Sequence, residues 1–395
     1  MLMQKIKTLT LQFKDDAVAM RRHLHAHPEL SYQEYGTSEF VQQKLSEYGI
    51  PFSVLAETGV VGIIEGKNPN SYTVALRADM DALPIQEENE VPYISKVPGV
   101  MHACGHDVHT TCLLGAARIL VQLKDEFEGT VKLIFQPGEE KNPGGASLMI
   151  KAGALKNPVP NAIFGLHTHP TLKVGTFSFR EGKAMASADE IYITVKGKGG
   201  HAAAPHLTVD TILAASQIVT SLQQVISRRN DPLNPSVLSI TAFNGGHTTN
   251  VIPSEVRLMG TFRAMDEEWR FHAHGLIREV CAGVAKATGA EIAVNIDVGY
   301  PFLINNPVLT ALGRKKAEEF AGTENVFETE LRLGAEDFAY YSQEIPACFY
   351  RLGTGSARLG DVRIGHTPTF DVDEESILHG MGMMAWLGAS CRPNA

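Results

Sequence analysis

Two spacings of apolar residues alternate along this chain. In "TLTLQFKDDAVAMRRHLHAHPE" they recur at helical intervals, and the pattern stops before Pro28, whose ring cannot continue a helix. "GTSEFVQQKLSEYG" predicts a second helix, with Thr37 or Ser38 as N-cap and Gly49 as terminator. Short apolar runs of strand length follow: "VVGIIEG", "YTVALRA", "TVKLIFQ", "AIFGLHT" and "VGTFSF". Between them lie helical stretches such as "VHTTCLLGAARILVQLK". Strands alternating with helices predict an α/β fold whose sheet is covered on both faces.

From residue 186 the pattern changes. "ADEIYITVKG" reads as a strand and "TVDTILAASQIVTSLQQVIS" as a long helix. "SVLSITAFNG" and "EVRLMGTFRA" are strands, "EEWRFHAHGLIREVCAGVAKATG" a helix and "EIAVNIDVG" a strand. The order β-α-β-β-α-β is that of a ferredoxin-like α+β sandwich. "NNPVLTALGRKKAEEFAG" and "ACFYRLG" then resume the earlier style. The expected organisation is one α/β domain, 1–185 plus 297–395, interrupted by a smaller domain at 186–296.

Composition narrows the class. At 395 residues the chain exceeds what one hydrophobic core usually serves. A net charge of −9 supports solubility and disfavours a nucleic-acid partner. "MLMQKIKTLTLQFKDD" has no apolar core of signal-peptide length, and no run approaches the roughly 18 apolar residues of a membrane span. The expectation is a cytoplasmic protein with no membrane partner. Five widely spread cysteines argue against a disulfide framework. Cys112, Cys281, Cys348 and Cys391 read as small buried hydrophobes.

Cys104 differs, because it lies in "GVMHACGHDVHT" among other donors. It could be a nucleophile or, with His106, a metal ligand. Further donors fall at predicted strand ends, where open α/β sheets place their sites. "PGEE" gives Glu139 and Glu140, "LHTHP" gives His167 and His169, and "IGHTPTF" gives His366. Nitrogen, sulfur and oxygen donors from four loops suit zinc or a similar transition ion. Adjacent Glu139 and Glu140 cannot easily point the same way, so one can bind metal while the other serves as general base. Each residue also has a bland reading, as a solvated turn or a satisfied loop histidine. His23, His25 and His27 spread around a helix axis and read as structural, as do His272 and His274.

The motifs "RRHLHAHPELSYQEYGT", "LRADMDALPIQE", "MHACGHDVHT", "FQPGEE", "GLHTHP", "KGKGGHAAAPH", "TTNVIP", "GTFRAMD", "GAEDFAYY" and "IGHTPTF" occur in one order over nearly the whole chain. In that order the sequence resembles the aminoacylase-type metallopeptidases. It is most similar to the N-acyl-amino-acid amidohydrolase branch, with its hippurate and indole-acetyl-amino-acid hydrolases. The resemblance implies a zinc-peptidase-like catalytic domain with an inserted dimerisation (lid) domain, and a homodimer. It implies two divalent metal ions per subunit, zinc or manganese with cobalt or nickel able to substitute, held by Cys104, His106, Glu140, His167 and His366. It makes Glu139 the general acid/base and His201 a lid residue that stabilises the oxyanion in the partner subunit's site. Asn250 becomes a second lid contributor, and Arg263 holds the substrate carboxylate. Wider relatives carry a metal-binding histidine two residues before an aspartate. Here Arg77 precedes Asp79, so ligation has moved to Cys104 and His106, and Asp79 is not assigned as a ligand.

The implied reaction is hydrolysis of an N-acyl amino acid to a carboxylic acid and a free amino acid. A dipeptidase or carboxypeptidase would use the same centre, and a metal-binding protein without catalysis would lack turnover altogether. Cys104 acting as an acyl nucleophile would need no metal.

Overall fold

The computed structural model describes residues 1–360 and 362–392. The chain divides into two compact units. The larger comprises Met1–Ala184, Ile304–Leu331 and Asp337–Ala395; the smaller comprises Met185–Leu303 with Arg332–Glu336.

The larger unit is built on an eight-stranded sheet. Its strands run in the spatial order Phe52–Leu55, Gly59–Glu65, Thr130–Gln136, Thr73–Asp79, Ala162–Lys173, Ala347–Gly355, Phe177–Phe179, Val326–Glu328. Thr73–Asp79 is parallel to both of its neighbours, and Ala347–Gly355 is parallel to Ala162–Lys173. Every residue of Thr73–Asp79 and Thr130–Gln136 is buried, so both faces are covered. The helix His106–Gln122 provides part of that cover and packs against Glu375–Ser390. Its Val108, Cys112, Leu113, Ala116, Ala117 and Leu120 are fully inaccessible.

Local chemistry moves several boundaries from their expected places. The first helical pattern is two helices, Leu2–Gln12 and Lys14–Ala26, separated at Phe13. The next helix spans Tyr35–Glu47, so Thr37 and Ser38 lie inside its first turn and neither is the N-cap. The Glu29 carboxylate accepts the Gly36 and Thr37 N–H groups at 3.0 and 2.8 Å, which satisfies the helix start from outside. The strand expected at "AIFGLHT" continues to Lys173, so His167 and His169 are strand residues rather than loop residues.

The smaller unit has the order β-α-β-β-α-β. Its antiparallel sheet runs Ser236–Asn244, Glu255–Ala264, Asp189–Lys196, Glu291–Val298. Ile191, Ile193 and Val195 alternate into a core closed by the helices Thr211–Gln224 and Glu267–Thr288. Asp210 and Asp266 cap those helices, accepting the Leu213 and Trp269 N–H groups, and Gly289 ends the second helix at φ +76°. A buried ion cluster lies beneath. Asp189 accepts from Arg270 Nε at 2.9 Å and Nη2 at 2.5 Å, from His274 Nε2 at 2.8 Å and from Gly299 N–H at 3.2 Å. The structural role expected for His274 is thus the one observed. No helix among the described residues is long and apolar enough to cross a membrane.

Candidate metal centre

Strand register brings distant donors together. Arg77 stands beside Ile134 and Gly165 on the neighbouring parallel strands, so the segments that follow residues 79 and 136 leave the sheet at the same end. His167 lies farther along Ala162–Lys173, opposite Arg351. At this end the ligand atoms of Cys104, His106 and His167 all lie within 4.8 Å of one another. The same holds for Cys104, Glu140 and His366, and for His106, Glu139 and Glu140. Two of these triads share Cys104. The five expected ligands and Glu139 therefore form one cluster in the larger unit.

Hydrogen bonds decide which imidazole nitrogens are available. His106 Nδ1 lies 2.9 Å from the Asp81 carbonyl, an acceptor only, so Nδ1 carries the proton. Asp81 Oδ1 also lies 3.1 Å from that nitrogen. His106 Nε2 is buried without a hydrogen-bond partner and faces the cluster. His167 Nδ1 donates to the Thr168 carbonyl at 2.7 Å, leaving Nε2 3.4 Å from Cys104 Sγ. His109, though close by, has no free nitrogen: Nε2 accepts the Thr168 N–H at 2.9 Å, and Nδ1 donates to Asp79 at 2.6 Å. His366 Nε2 lies 3.3 Å from Glu140 Oε1. A buried, orphaned Nε2 beside a thiol and a carboxylate fits a transition-metal ion better than a neutral hydrogen-bond network.

Burial opposes a positive charge on His106, but Asp79 and then Cys104 outweigh it and hold this imidazole well above its usual pKa, so the pocket favours a cation at Nε2, a proton or a metal ion. Burial, reinforced by nearby Arg351, holds His167 well below its usual pKa, so its imidazole is neutral and able to ligate. Burial pushes the Cys104 thiol up to about 12. Burial opposes ionisation of Asp81 too, but the hydrogen bond with His106 outweighs it and keeps this carboxyl below its ordinary value. For Asp79 burial is overcome by Arg77, with His106 and His109 adding, and the carboxyl stays well below its usual range.

The Arg77 departure now has a physical account. Its guanidinium donates to Asp79 Oδ2 at 2.5 Å, to Asp337 Oδ1 at 2.7 Å and to Gln136 Oε1 at 2.9 Å. Asp79 thus spends one oxygen on Arg77 and the other on His109. Asp81 is the residue that sequence reasoning missed. Besides His106, its Oδ2 accepts Ser31 Oγ at 2.6 Å and the Glu140 N–H at 3.0 Å. The alternation Asp79-Met80-Asp81 was the available signal, since it sets both carboxylates on one side of an extended segment.

The other residues expected at the site lie in the smaller unit. His201 pairs with Val251 in a two-stranded ribbon, and the Ala202 N–H donates to the Asn250 carbonyl at 3.0 Å. Both His201 and Asn250 are exposed. His201 Nδ1 accepts the Ala203 N–H at 3.0 Å, so Nε2 carries the ring proton. Arg263 is the penultimate residue of the strand Glu255–Ala264, half-buried, with a bond from Nε to Thr261 Oγ1 at 3.1 Å. His169 is in none of the donor groups found among the described residues.

Comparison with known proteins agrees with this geometry. The pattern of Peptidase family M20/M25/M40 matches residues 75–387. The chain is 41% identical over 384 residues to "Thermostable carboxypeptidase 2" of Saccharolobus solfataricus, covering 96% of each protein. It is 45% identical over 303 residues to "N-acyl-L-amino acid amidohydrolase" of Geobacillus stearothermophilus, covering 76% of this chain and 81% of that one. Among solved structures it resembles the YXEP protein of Bacillus subtilis, described as a dinuclear metal binding peptidase. That match has a TM-score of 0.81 and 35% identity over 96% of this chain and 99% of the other.

Proposed function

Because the chain belongs to Peptidase family M20/M25/M40, we propose that it is a metal-dependent amidohydrolase that cleaves N-acyl amino acids to a carboxylic acid and a free amino acid. The observation that carries the reading is the cluster of six donors into which His106 and His167 both turn Nε2. Cys104, His106, Glu140, His167 and His366 would hold two divalent ions, zinc or manganese. Such ions, when bound, polarise the scissile carbonyl and acidify water.

The chain's own residues do the rest. Glu139 is buried beside the cluster, takes a proton from the attacking water and returns it to the leaving amine. His201 offers its Nε2–H to the oxyanion, a contribution typically of about 3–4 kcal/mol. Asn250, held beside it by the ribbon, is the second lid contributor to the substrate pocket. Arg263 is a fixed planar cation suited to the substrate carboxylate. The smaller unit acts as a dimerisation lid in this reading, and its His201 serves the partner's centre. The protein works in the cytoplasm.

Steady-state rates on a panel of N-acyl amino acids with added manganese or zinc test the activity. Glu139→Gln should retain metal and lose turnover, whereas Glu140→Gln should lose metal as well. Equal metal loss in both would refute the division of labour. Mixing Glu139→Gln with His201→Ala subunits should restore roughly a quarter of wild-type activity, because half the dimers are mixed and each has one intact site. The 41% identity to a protein named carboxypeptidase favours one second reading, peptide hydrolysis at the same centre. Faster turnover of unblocked peptides than of N-acyl amino acids would select it.

A further inference from the structure

The segment "HPELSYQE", 27–34, is a marked motif that the chemistry above leaves unused. The turn bearing Glu139 and Glu140 runs from Pro137 to Gly144 without helix or strand, so regular structure does not hold it. It is gripped from outside by three residues of that segment. Glu34, wholly inaccessible to solvent, accepts the Gly138 N–H at 2.8 Å and the Tyr32 N–H at 2.9 Å on Oε1, and the Thr58 hydroxyl at 3.0 Å on Oε2. The Tyr32 hydroxyl donates to the Lys141 carbonyl and accepts the Gly144 N–H, securing the far end. Ser31 donates to the same Asp81 oxygen that accepts the Glu140 N–H.

The grip is tight. Gly138 has φ +57°, and a Cβ there would sit inside the Tyr32 ring. Tyr32 is itself left-handed at φ +67°, a conformation that a non-glycine residue keeps only where its surroundings demand it. Burial, with Asp81 nearby, pushes the Glu34 carboxyl up to about 7. The fold thus tolerates a poorly solvated acid here, at the base of the turn.

We propose that Glu34 is a positioning residue for the acid–base step: through the Gly138 N–H it fixes the turn so that neighbouring Glu139 and Glu140 face different tasks. The inference rests on the roles given to those two glutamates above. Adjacent side chains diverge reproducibly only if the backbone that carries them is held; Asp81 holds it at the Glu140 N–H, and Glu34 holds it at Gly138, just before Glu139.

Two variants separate geometry from charge. In Glu34→Gln, Oε1 can still accept both N–H groups while the amide NH2 donates to Thr58 Oγ1, so the hydrogen bonds survive and the charge is lost. Glu34→Asp keeps the charge but is one methylene too short to reach both Gly138 and Thr58. With metal-loaded protein, hydrogen exchange across 137–144, metal content, kcat and KM are measured together. We expect the glutamine variant to match wild-type exchange, with kcat within about threefold. In the aspartate variant, exchange at the turn should rise about tenfold, and kcat should fall roughly 10- to 100-fold with KM and metal content kept.

Wild-type behaviour of the aspartate variant overturns the proposal. So does equal loss in both variants, or metal loss that accounts for the lost rate. Should the aspartate variant not fold, Tyr32→Phe, which frees the far end of the turn, is expected to lower kcat about three- to tenfold at constant KM; unchanged kcat overturns the proposal. If the wild type cleaves no N-acyl amino acid, the functional reading fails, while exchange at 137–144 still decides whether Glu34 holds the turn.

Discussion

Replacing Asp81 should loosen metal binding although Asp81 is none of the expected ligands. One carboxylate supports two of them, Oδ1 facing His106 Nδ1 and Oδ2 taking the Glu140 N–H. Loss of one supporting partner of a metal ligand usually weakens affinity about 10- to 100-fold. His106 would keep the Asp81 backbone carbonyl at 2.9 Å, so its tautomer survives and its share of the loss lies at the lower end. Glu140 has no such substitute, and the Ser31 hydroxyl would lose its acceptor as well. The expected loss for Asp81→Ala is therefore about 100-fold, close to 3 kcal/mol. Asp81→Asn keeps one acceptor oxygen but turns an NH2 toward a donor on the other side, so a loss of about tenfold is expected. Competition with a chromogenic chelator measures both. Affinity for Asp81→Ala within about threefold of wild type would refute the reasoning, as would a larger loss in the asparagine variant.

Three other outcomes follow from the geometry. Asp189→Asn leaves buried Arg270 with only the Glu267 carboxylate and should cost about 3 kcal/mol, the low end for a broken buried pair, in urea unfolding followed by fluorescence of the adjacent Trp269; a loss below about 1 kcal/mol would contradict it. Because burial holds the Cys104 thiol protonated up to about 12, ligation must expel a proton. Affinity should then rise about tenfold per pH unit across neutrality and fall in acid, and titration calorimetry in two buffers of unlike ionisation enthalpy should count at least one proton released. Arg263, which pairs with no carboxylate among the described residues, should account for substrate acidity. Arg263→Ala and amidation of the substrate should each lower kcat/KM about 100-fold, with the two losses failing to add.

What was legible in the sequence was mostly local. The β-α-β-β-α-β order of the smaller unit and the alternation in Asp189–Lys196 show within short windows. Glu139, Glu140 and His167 stood out because each follows or ends an apolar run, Cys104 and His106 because they crowd with other donors in one short segment, and His366 through "IGHTPTF" beyond a long loop. What escaped depends on partners far along the chain. His109 is of the same type as the expected ligands, yet Thr168 and Asp79 occupy it from two other strands. Arg77 looked like a lost ligand until Asp337 was seen to share its charge across 260 positions. The start of Tyr35–Glu47 was misplaced because its N–H groups find an acceptor in Glu29, outside any capping window. Sequence patterns report what a residue prefers, whereas register and crossing loops decide which partner it meets.

The position of Ala347–Gly355 in the large sheet has a consequence for synthesis on the ribosome. This strand is the parallel neighbour of Ala162–Lys173 and lies well inside the sheet, but about 170 residues separate the two in the chain, roughly 10–35 s of translation at ordinary speeds. The smaller unit emerges during that interval and can fold from its own contiguous strands. Meanwhile the strand carrying His167 waits with one edge unpaired, an open template for another nascent chain. His366 emerges later still, so the donor cluster cannot be complete until about 200 residues beyond His167 have been made. A newly made chain would therefore carry an open strand edge through that interval, and metal binding at the full cluster would follow the folding of the first strands rather than guide it.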